Sequence, residues 1–266
     1  MKKYLYGFKL YFLNSFQYRF NTVVGLLFGN LSTLITILFW SLIYSGDTQK
    51  KLNGYTLSGI ITYFVIGNVL RGFILQNSGF TYSGMVKSGS LGAMLLKPYN
   101  ISLSVYFRYL ASGITGLIPQ TLFVICLMPF IAQYLTWQMS FIDIVLVLLF
   151  LLIASISSHL LWSLFGYMAF WLEEANAVMY SFAVLLNVAT GRFIPLDFFP
   201  KWSIPILELL PFSSWGYIPT KIYLGLYEVD RLILLLFIHT TWIGILILLQ
   251  RLLWCSGIKK YSSVGG

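Results

Sequence analysis

The chain has 266 residues, of which 58% are hydrophobic, 18% are aromatic and only 9% are charged, and its formal net charge is +9 at pH 7. A soluble globular domain carries about 25% charged residues, so this composition excludes a soluble protein and indicates an integral membrane protein. Because apolar windows of about 20 residues recur along nearly the whole sequence, we predict an all-α fold with six transmembrane helices.

The amino-terminal segment, residues 1–20, is expected to form an amphipathic interfacial helix that connects to the first span. Leu5, Phe8 and Phe12 fall on one helical face, whereas Asn14 faces the other way. If the first span began here instead, polar and charged side chains would lie at membrane depth, which is unfavourable. The segment also lacks the apolar core and the small-residue cleavage site of a signal peptide, so we expect it to be retained.

The six spans are assigned to the apolar runs that follow, and the boundaries between them are polar, glycine-rich or proline-rich. Together they form a single membrane domain, residues 1–266, without an internal repeat or a soluble domain. The spans are predicted at residues 22–44, 57–76, 103–132, 141–171, 177–190 and 232–254.

Two glycines in the first span, Gly25 and Gly29, form a GxxxG pattern. This spacing lets two helix backbones approach closely inside a membrane, where lipid provides no hydrophobic drive for association. A contact between subunits and a contact within the chain would both use it, so the pattern leaves both interpretations open.

The connection between the second and third spans, with residues 82–98 at its centre, mixes glycine and serine with basic and apolar residues. Four apolar residues could share one side of a short helix there. A stiff, basic and half-apolar element of this kind suits a docking surface for a cytoplasmic protein, but it could equally lie on the lipid headgroups. The four residues are Val86, Leu91, Met94 and Leu95.

Few ionisable residues fall at predicted membrane depth, and they are Arg71, His159 and His239. None has an obvious acidic partner in a span, which argues against a proton relay. The acidic pair Glu173-Glu174 lies between the fourth and fifth spans, where it could pair with arginine or lysine on a neighbour, oppose the dipole of the fifth helix from a solvated loop, or do both. The sequence contains no phosphate-binding loop and no catalytic motif, so we do not expect an enzyme.

The segment from Gly191 to Gly225 is apolar, yet it contains five of the eight prolines of the chain. Proline removes a backbone donor and interrupts helices, so only short helical pieces joined by bends can form. Counting lysine and arginine near the span ends places this segment outside and both termini in the cytoplasm. The basic inner face attracts anionic headgroups, so the net charge does not indicate nucleic-acid binding.

The order of these parts resembles the membrane subunit of type-2 ABC exporters. It is most similar to the compact six-span bacterial permeases that are encoded beside a separate ATPase and often beside a second, divergent permease. The motifs that carry this resemblance are the amphipathic leader, Leu95-Leu96-Lys97-Pro98, the Trp171/Glu174 turn, Gly191, Ile194-Pro195-Leu196, Phe199-Pro200 and Leu210-Pro211-Phe212.

The resemblance implies an exporter permease in a bacterial plasma membrane that forms half of a translocation path. It pairs with an identical or divergent second permease and with two copies of a cytoplasmic ATPase, which binds the ATP and Mg²⁺. The chain itself would hold no cofactor and no metal. The loop after the second span becomes the coupling element, with Val86, Lys87, Leu91, Met94, Leu95, Leu96, Lys97 and Pro98 as candidate ATPase contacts.

The same resemblance implies a re-entrant helical hairpin on the outer side, at residues 191–219. Its candidate gate residues are Gly191, Pro195, Phe198, Phe199, Pro200, Pro211 and Phe212. The permease interface or the path would contain Gly25, Gly29, Asn187 and Thr190.

Two other functions fit the sequence. One is an ATP-independent channel or secondary transporter in which Arg71 and His159 serve a polar path. The other is a membrane immunity or scaffold protein that binds a partner and transports nothing.

Overall fold

The computed structural model describes residues 2–15, 30–44, 47, 50–74, 77–136 and 139–262. This part of the chain forms helices, turns and loops, with one isolated β-bridge between Leu52 and Tyr55 and no β-strand. The prediction of an all-α protein is confirmed. The α-helices are α1 (Lys2–Ser15), α2 (Leu31–Tyr44), α3 (Leu57–Ile74), α4 (Ser78–Lys87), α5 (Ser90–Leu95), α6 (Ile101–Ile131), α7 (Phe141–Tyr167), α8 (Ala175–Ala189), α9 (Ile204–Leu209), α10 (Tyr217–Tyr223) and α11 (Val229–Lys260).

Four stretches of the described chain are long and apolar enough to cross a membrane: Leu57–Lys87, Ile101–Tyr134, Phe141–Phe170 and Val229–Lys260. The first of them combines α3 and α4. The predicted first and fifth spans correspond to shorter apolar helices, α2 and α8. At 1.5 Å per residue, α8 is about 22 Å long, less than the hydrocarbon thickness of about 30 Å. The beginning of the predicted first span, including Gly25 and Gly29, lies outside the described residues.

Local sequence explains where two of the long helices begin. Ser140 precedes α7, and its Oγ accepts a hydrogen bond from the backbone N–H of Asp143, while the Asp143 carboxylate accepts one from the backbone N–H of Ser140 at 2.8 Å. This capping box satisfies donors that a helix start leaves free. Asn100 caps α6 in a similar way through the backbone N–H of Leu103, at 3.0 Å.

Helix α7 lies at the centre of the bundle and packs against α3, α4, α8, α10 and α11. Its first half is largely apolar, whereas its second half contains buried small and polar residues, among them Ser155, Ser158, His159 and Ser163. Serine hydroxyls donate back to carbonyls of their own helix, so they are buried without losing hydrogen bonds. The small side chains allow neighbouring helices to approach α7 closely.

Residues 78–87, which the sequence analysis treats as part of a loop, form helix α4 and pack on α7, so that prediction is wrong. The two backbones are in direct contact: a Cβ added to Gly79 would lie 2.5 Å from the Trp162 carbonyl oxygen, and one added to Gly166 would lie 2.5 Å from the Gly79 carbonyl oxygen. Ser78, Gly79 and Ser83 are buried and form a packing face of this segment. In an apolar environment such residues favour close helix contact as readily as a turn.

The expectation that Val86, Leu91, Met94 and Leu95 share one side of a single helix is also wrong. Helix α4 ends at Lys87, and α5 begins at Ser90. Between them Gly89 adopts φ = 73°, a left-handed conformation that glycine accepts without steric cost. The turn changes the direction of the chain, so Val86 and Leu91 belong to different helices.

Residues 88–98 lie at one end of the bundle, which we call the loop end. Both ends of the described chain lie beside this segment. Helix α1 packs along α6, and the hydroxyl of Tyr4 accepts a hydrogen bond from the backbone N–H of Asn100 at 2.8 Å. Beyond α11, the hydroxyl of Tyr261 donates to the Gly89 carbonyl at 2.9 Å. The opposite end, formed by residues 191–228, is called the proline-rich end.

The outer surface of the bundle is strongly apolar. Large hydrophobic side chains are exposed along α2, α6, α7, α8 and α11, for example Leu42 at 77% and Phe237 at 72%. In water such a surface would be unfavourable, whereas in a bilayer it contacts lipid tails. This exposed apolar surface agrees with a membrane location.

Candidate functional site

The loop end presents an exposed apolar surface at Leu95 and Leu96, which we call the apolar step. Leu91 is buried at 1% exposure and anchors α5 in a cluster with Tyr82, Met85 and Tyr167. Only five residues later, Leu96 is 89% exposed and Leu95 is 42% exposed. The structure thus divides the eight candidate coupling residues: Leu91 is buried, Val86 and Met94 are half-buried, and the exposed ones are Lys87, Leu95, Leu96, Lys97 and Pro98.

A second short segment lies near this step. Nζ of Lys87 is 3.5 Å from Oε1 of Glu174, which connects the end of α4 to the turn before α8. Glu174 occupies the N-cap position of α8, but its side chain makes no capping hydrogen bond. Glu174 thus pairs with a basic residue of its own chain, and its position at the start of α8 also lets its charge oppose the helix dipole. Trp171 and Leu172 are exposed in the same turn.

At the proline-rich end, Asp197 is the centre of a largely buried polar cluster. Its carboxylate accepts hydrogen bonds from the hydroxyls of Tyr55 at 2.7 Å and Tyr217 at 2.9 Å, and it pairs with Nζ of Lys221 at 3.0 Å. Burial, and then the negative charge of Asp197, raises the pKa of Tyr55 and of Tyr217 above the usual value for a phenol. Both phenols therefore stay protonated and donate to Asp197.

Glu208 forms a second cluster in the same segment. It is 6% exposed, and its carboxylate accepts hydrogen bonds from Tyr227 and from Arg231. The Glu208 carbonyl accepts from the hydroxyl of Ser213 at 2.7 Å and lies 3.3 Å from Nε2 of His239. These contacts connect the short helix α9 to the first part of α11.

The candidate gate residues occupy different environments within this end. The Gly191 carbonyl accepts a hydrogen bond from the buried Tyr63 hydroxyl at 2.9 Å, and Phe198 packs against Trp40 with ring centroids 4.7 Å apart. Gly191, Pro195 and Pro211 are buried, Phe198, Phe199 and Phe212 are half-buried, and Pro200 is exposed. The structure therefore brings most of them into packed contacts and leaves one on the surface.

The path candidates Asn187 and Thr190 line a cavity of about 350 Å³ between α3, α6, α7 and α8. Thr190 is buried and donates to the Leu186 carbonyl at 2.8 Å. Two arginines, Arg71 and Arg192, line the same cavity. Of these four residues, sequence analysis grouped only Asn187 and Thr190. The rarity of arginine at membrane depth singles out Arg71 in the sequence but does not group it with these residues. The same signal does not reach Arg192, which lies beyond the predicted fifth span.

A larger cavity of about 660 Å³ opens near the loop end, between α5, α6, α7 and α11. Some of its polar residues form a network, in which the side-chain amide of Gln250 donates to Ser102 at 3.0 Å and to Ser163, behind the lining, at 2.8 Å. Nε2 of His159 lies 3.4 Å from the Ser102 hydroxyl. The structure therefore places Arg71 and His159, which one alternative function combines in a single path, in separate cavities.

These features define a multi-pass helical membrane protein with polar cavities inside an apolar bundle. Residues 31–265 match the family model described as ABC-2 family transporter protein, and the chain belongs to that family. No curated protein matches the sequence. The chain is thus a membrane permease of the ABC transporter type, as its resemblance predicted. In this family the permease is the membrane transport component, and it associates with an ABC ATPase.

Proposed function

We propose that the chain is the permease subunit of an ABC exporter and that the exposed part of the loop end docks its ATPase. The observation that supports this most directly is the contrast between Leu91 and Leu96. One leucine anchors α5 in the bundle, while the other projects from it. Because α5 is anchored in the bundle, a movement of a protein bound at the exposed leucines would move the bundle helices. A movement of those helices would in turn move the bound protein.

The topology of this proposal has the loop end in the cytoplasm and the proline-rich end outside. Lysines at positions 3, 87, 97, 259 and 260 cluster near the loop end, in agreement with the positive-inside rule. The proposal retains six spans, with α2 and α8 as the first and fifth. It also retains a bacterial plasma membrane as the location and both termini in the cytoplasm.

We infer a re-entrant external segment at residues 191–219. The contact between Trp242 and the Leu209 carbonyl, at 2.8 Å, supports it, because Trp242 lies more than three turns inside α11. A second contact, from Nε1 of Trp215 to the Ser157 hydroxyl at 3.0 Å, lies near the middle of α7. A segment that reaches the middle of two long helices and returns would close the outer end of a path.

The complete transporter in this proposal contains two permeases, identical or divergent, and two ATPase subunits that bind ATP and Mg²⁺. Hydrolysis takes place in the ATPase, and the permease conducts. Gly25 and Gly29 remain candidates for the contact between permeases, while Asn187 and Thr190 remain candidates for the path.

The test is co-purification with the ABC ATPase that the family resemblance leads us to expect beside this gene. Leu95→Asp and Leu96→Asp each place a charge in the docking step, and we expect ATPase recovery to fall about tenfold or more. Leu226→Asp is the matched control, because Leu226 is 45% exposed but lies at the proline-rich end. If the unaltered chain recovers no ATPase, the proposed function is wrong. If both loop-end variants recover the normal amount, the docking assignment is wrong.

A further inference from the structure

The smaller cavity combines cationic and apolar lining in an unusual way. Arg71 and Arg192 both contribute to it, and none of its described lining residues is aspartate or glutamate. The rest of the lining is partly neutral and polar and partly apolar. Its neutral polar residues are Asn68, Asn77, Gln120, Asn187 and Thr190, and its apolar side chains are Ile74, Trp162, Ala183, Leu186 and Trp215. A cavity of this kind, inside a bundle surrounded by lipid, carries a positive charge without a carboxylate in its lining to balance it.

The guanidinium group of Arg71 is held in a fixed position by its surroundings. Its Nη1 atom is buried and has no hydrogen-bond partner among the described residues. A Cβ added to Gly67 would lie 3.0 Å from this atom, and one added to Gly216 would lie 3.2 Å from it. Two glycines from separate parts of the chain therefore leave the space that the guanidinium group occupies. The donor is held in place but unsatisfied, which is unfavourable unless a ligand completes it.

The two acidic residues of the neighbouring proline-rich end that are not exposed to solvent are already paired. Asp197 is paired with Lys221, and Glu208 is paired with Arg231. Moving either carboxylate to Arg71 would break one of these pairs. The missing negative charge is therefore expected from a ligand.

Arg192 adds a second donor group to the cavity. Its Nη1 donates to Oδ1 of Asn187 at 3.1 Å, which orients the guanidinium group and leaves other N–H donors for a ligand. A guanidinium group carries five donors in a planar fork that matches the oxygens of phosphate and carboxylate. Two such groups in one cavity are suited to an oxyanion.

We propose that this cavity binds the oxyanion headgroup, a phosphate or a carboxylate, of an amphipathic molecule. The apolar chain of that molecule would lie against Ile74, Leu186 and Trp215. A volume of about 350 Å³ is at the small end of ligand pockets, so it accommodates a headgroup and the beginning of a chain. That such a molecule is transported rests on the proposed function; its binding does not require the ATPase.

The test measures binding of hexyl phosphate by calorimetry to the purified full-length chain in phosphatidylcholine nanodiscs. Hexyl glucoside has the same chain with a neutral headgroup, and inorganic phosphate is the free oxyanion. We expect hexyl phosphate to bind at least tenfold more tightly than either. Arg71→Gln should weaken hexyl phosphate about tenfold or more, because a hydrogen bond to a charged group is lost. Arg192→Gln should weaken it severalfold.

Arg251→Gln is the control variant, because it removes an exposed arginine that lines the larger cavity. It should bind hexyl phosphate normally. Thermal unfolding without ligand adds a second readout: Arg71→Gln should be as stable as the unaltered chain or more stable, since it removes an unbalanced charge. A purely structural arginine would give a loss of stability. If Arg71→Gln does not fold, Arg192→Gln decides the same question.

Unchanged binding in both cavity variants would overturn the proposal, as would a loss of binding in Arg251→Gln alone. Equal affinity for inorganic phosphate would show that the site takes a free oxyanion, and the amphipathic ligand would then be wrong. These results are independent of ATPase recovery. A chain that binds hexyl phosphate but recovers no ATPase would refute the proposed function and leave this site in place.

Discussion

Lys221 and Asp197 form an ion pair at 3.0 Å that joins the two halves of the proline-rich end. Their side chains are 14% and 19% exposed, so water screens the pair only weakly. Two phenols, from Tyr55 and Tyr217, complete the hydrogen bonds of the carboxylate. A segment interrupted by five prolines cannot hold its shape through helical hydrogen bonds alone, and this cluster supplies part of what is missing.

Asp197→Asn should lower the free energy of unfolding by about 3–5 kcal/mol, because it leaves the Lys221 charge without its partner. Thermal unfolding of the purified protein measures this. In the double variant Asp197→Asn/Lys221→Met no charge is left unpaired, so part of the loss should be recovered. A double variant less stable than Asp197→Asn would show that the pair does not act as described.

The exposed pair Lys87 and Glu174 should behave differently. Their side chains are 38% and 81% exposed, so the pair is open to solvent and salt. Glu174→Gln should change the free energy of unfolding by less than about 1 kcal/mol. High salt should remove the remaining difference from the unaltered chain. A loss comparable with that of Asp197→Asn would contradict the assignment of this pair to the surface.

Two glycines of helix α4 provide a matched test of its packing on α7. Gly79→Ala would place a Cβ 2.5 Å from the Trp162 carbonyl oxygen, whereas Gly84→Ala meets nothing within 4 Å. The first variant should lose about 1–3 kcal/mol through overpacking, and the second should be neutral or slightly stabilised. Thermal unfolding of both variants checks this. Equal stabilities would mean that α4 does not contact α7 closely.

Gly191 should be among the least replaceable glycines at the proline-rich end. It adopts φ = +71°, and an added Cβ would lie 2.4 Å from the Tyr63 hydroxyl. Gly191→Ala should therefore cost about 2 kcal/mol or more in thermal unfolding. Gly244→Ala is the control, since it lies inside α11 with nothing within 4 Å of the added atom. That control should not lose stability.

Leu91 and Leu96 should separate stability from partner binding. Leu91→Ala removes a buried side chain and should cost about 2–5 kcal/mol in the free energy of unfolding. Leu96→Ala should stay within about 0.5 kcal/mol, since the side chain is exposed. Recovery of the ATPase should respond to Leu96→Ala even though stability does not. A stable Leu91→Ala variant would indicate that α5 is not anchored by this residue.

Some features could be predicted from the chain alone because they depend on local composition. The apolar run at residues 103–132 indicates a long helix because each residue of a span must tolerate lipid, and α6 extends over Ile101–Ile131. Helix α4 was missed for the opposite reason. Ser78, Gly79 and Ser83 are equally compatible with a loop and with a helix face, and only the opposing residues of α7 distinguish the two.

The sequence by itself determined that the protein is helical and membrane-embedded, and it identified the family. Hydropathy and proline spacing are local properties, so the order of residues is enough to establish them. The tertiary structure decided which leucine of the loop end is buried and which is exposed. It also decided that Arg71 and Arg192 meet at one cavity with Asn187. Arg71 lies more than a hundred positions before the other two along the chain, and its proximity to them depends on how α3 and α8 pack around α7. No local pattern encodes that arrangement, since it results from contacts between distant side chains.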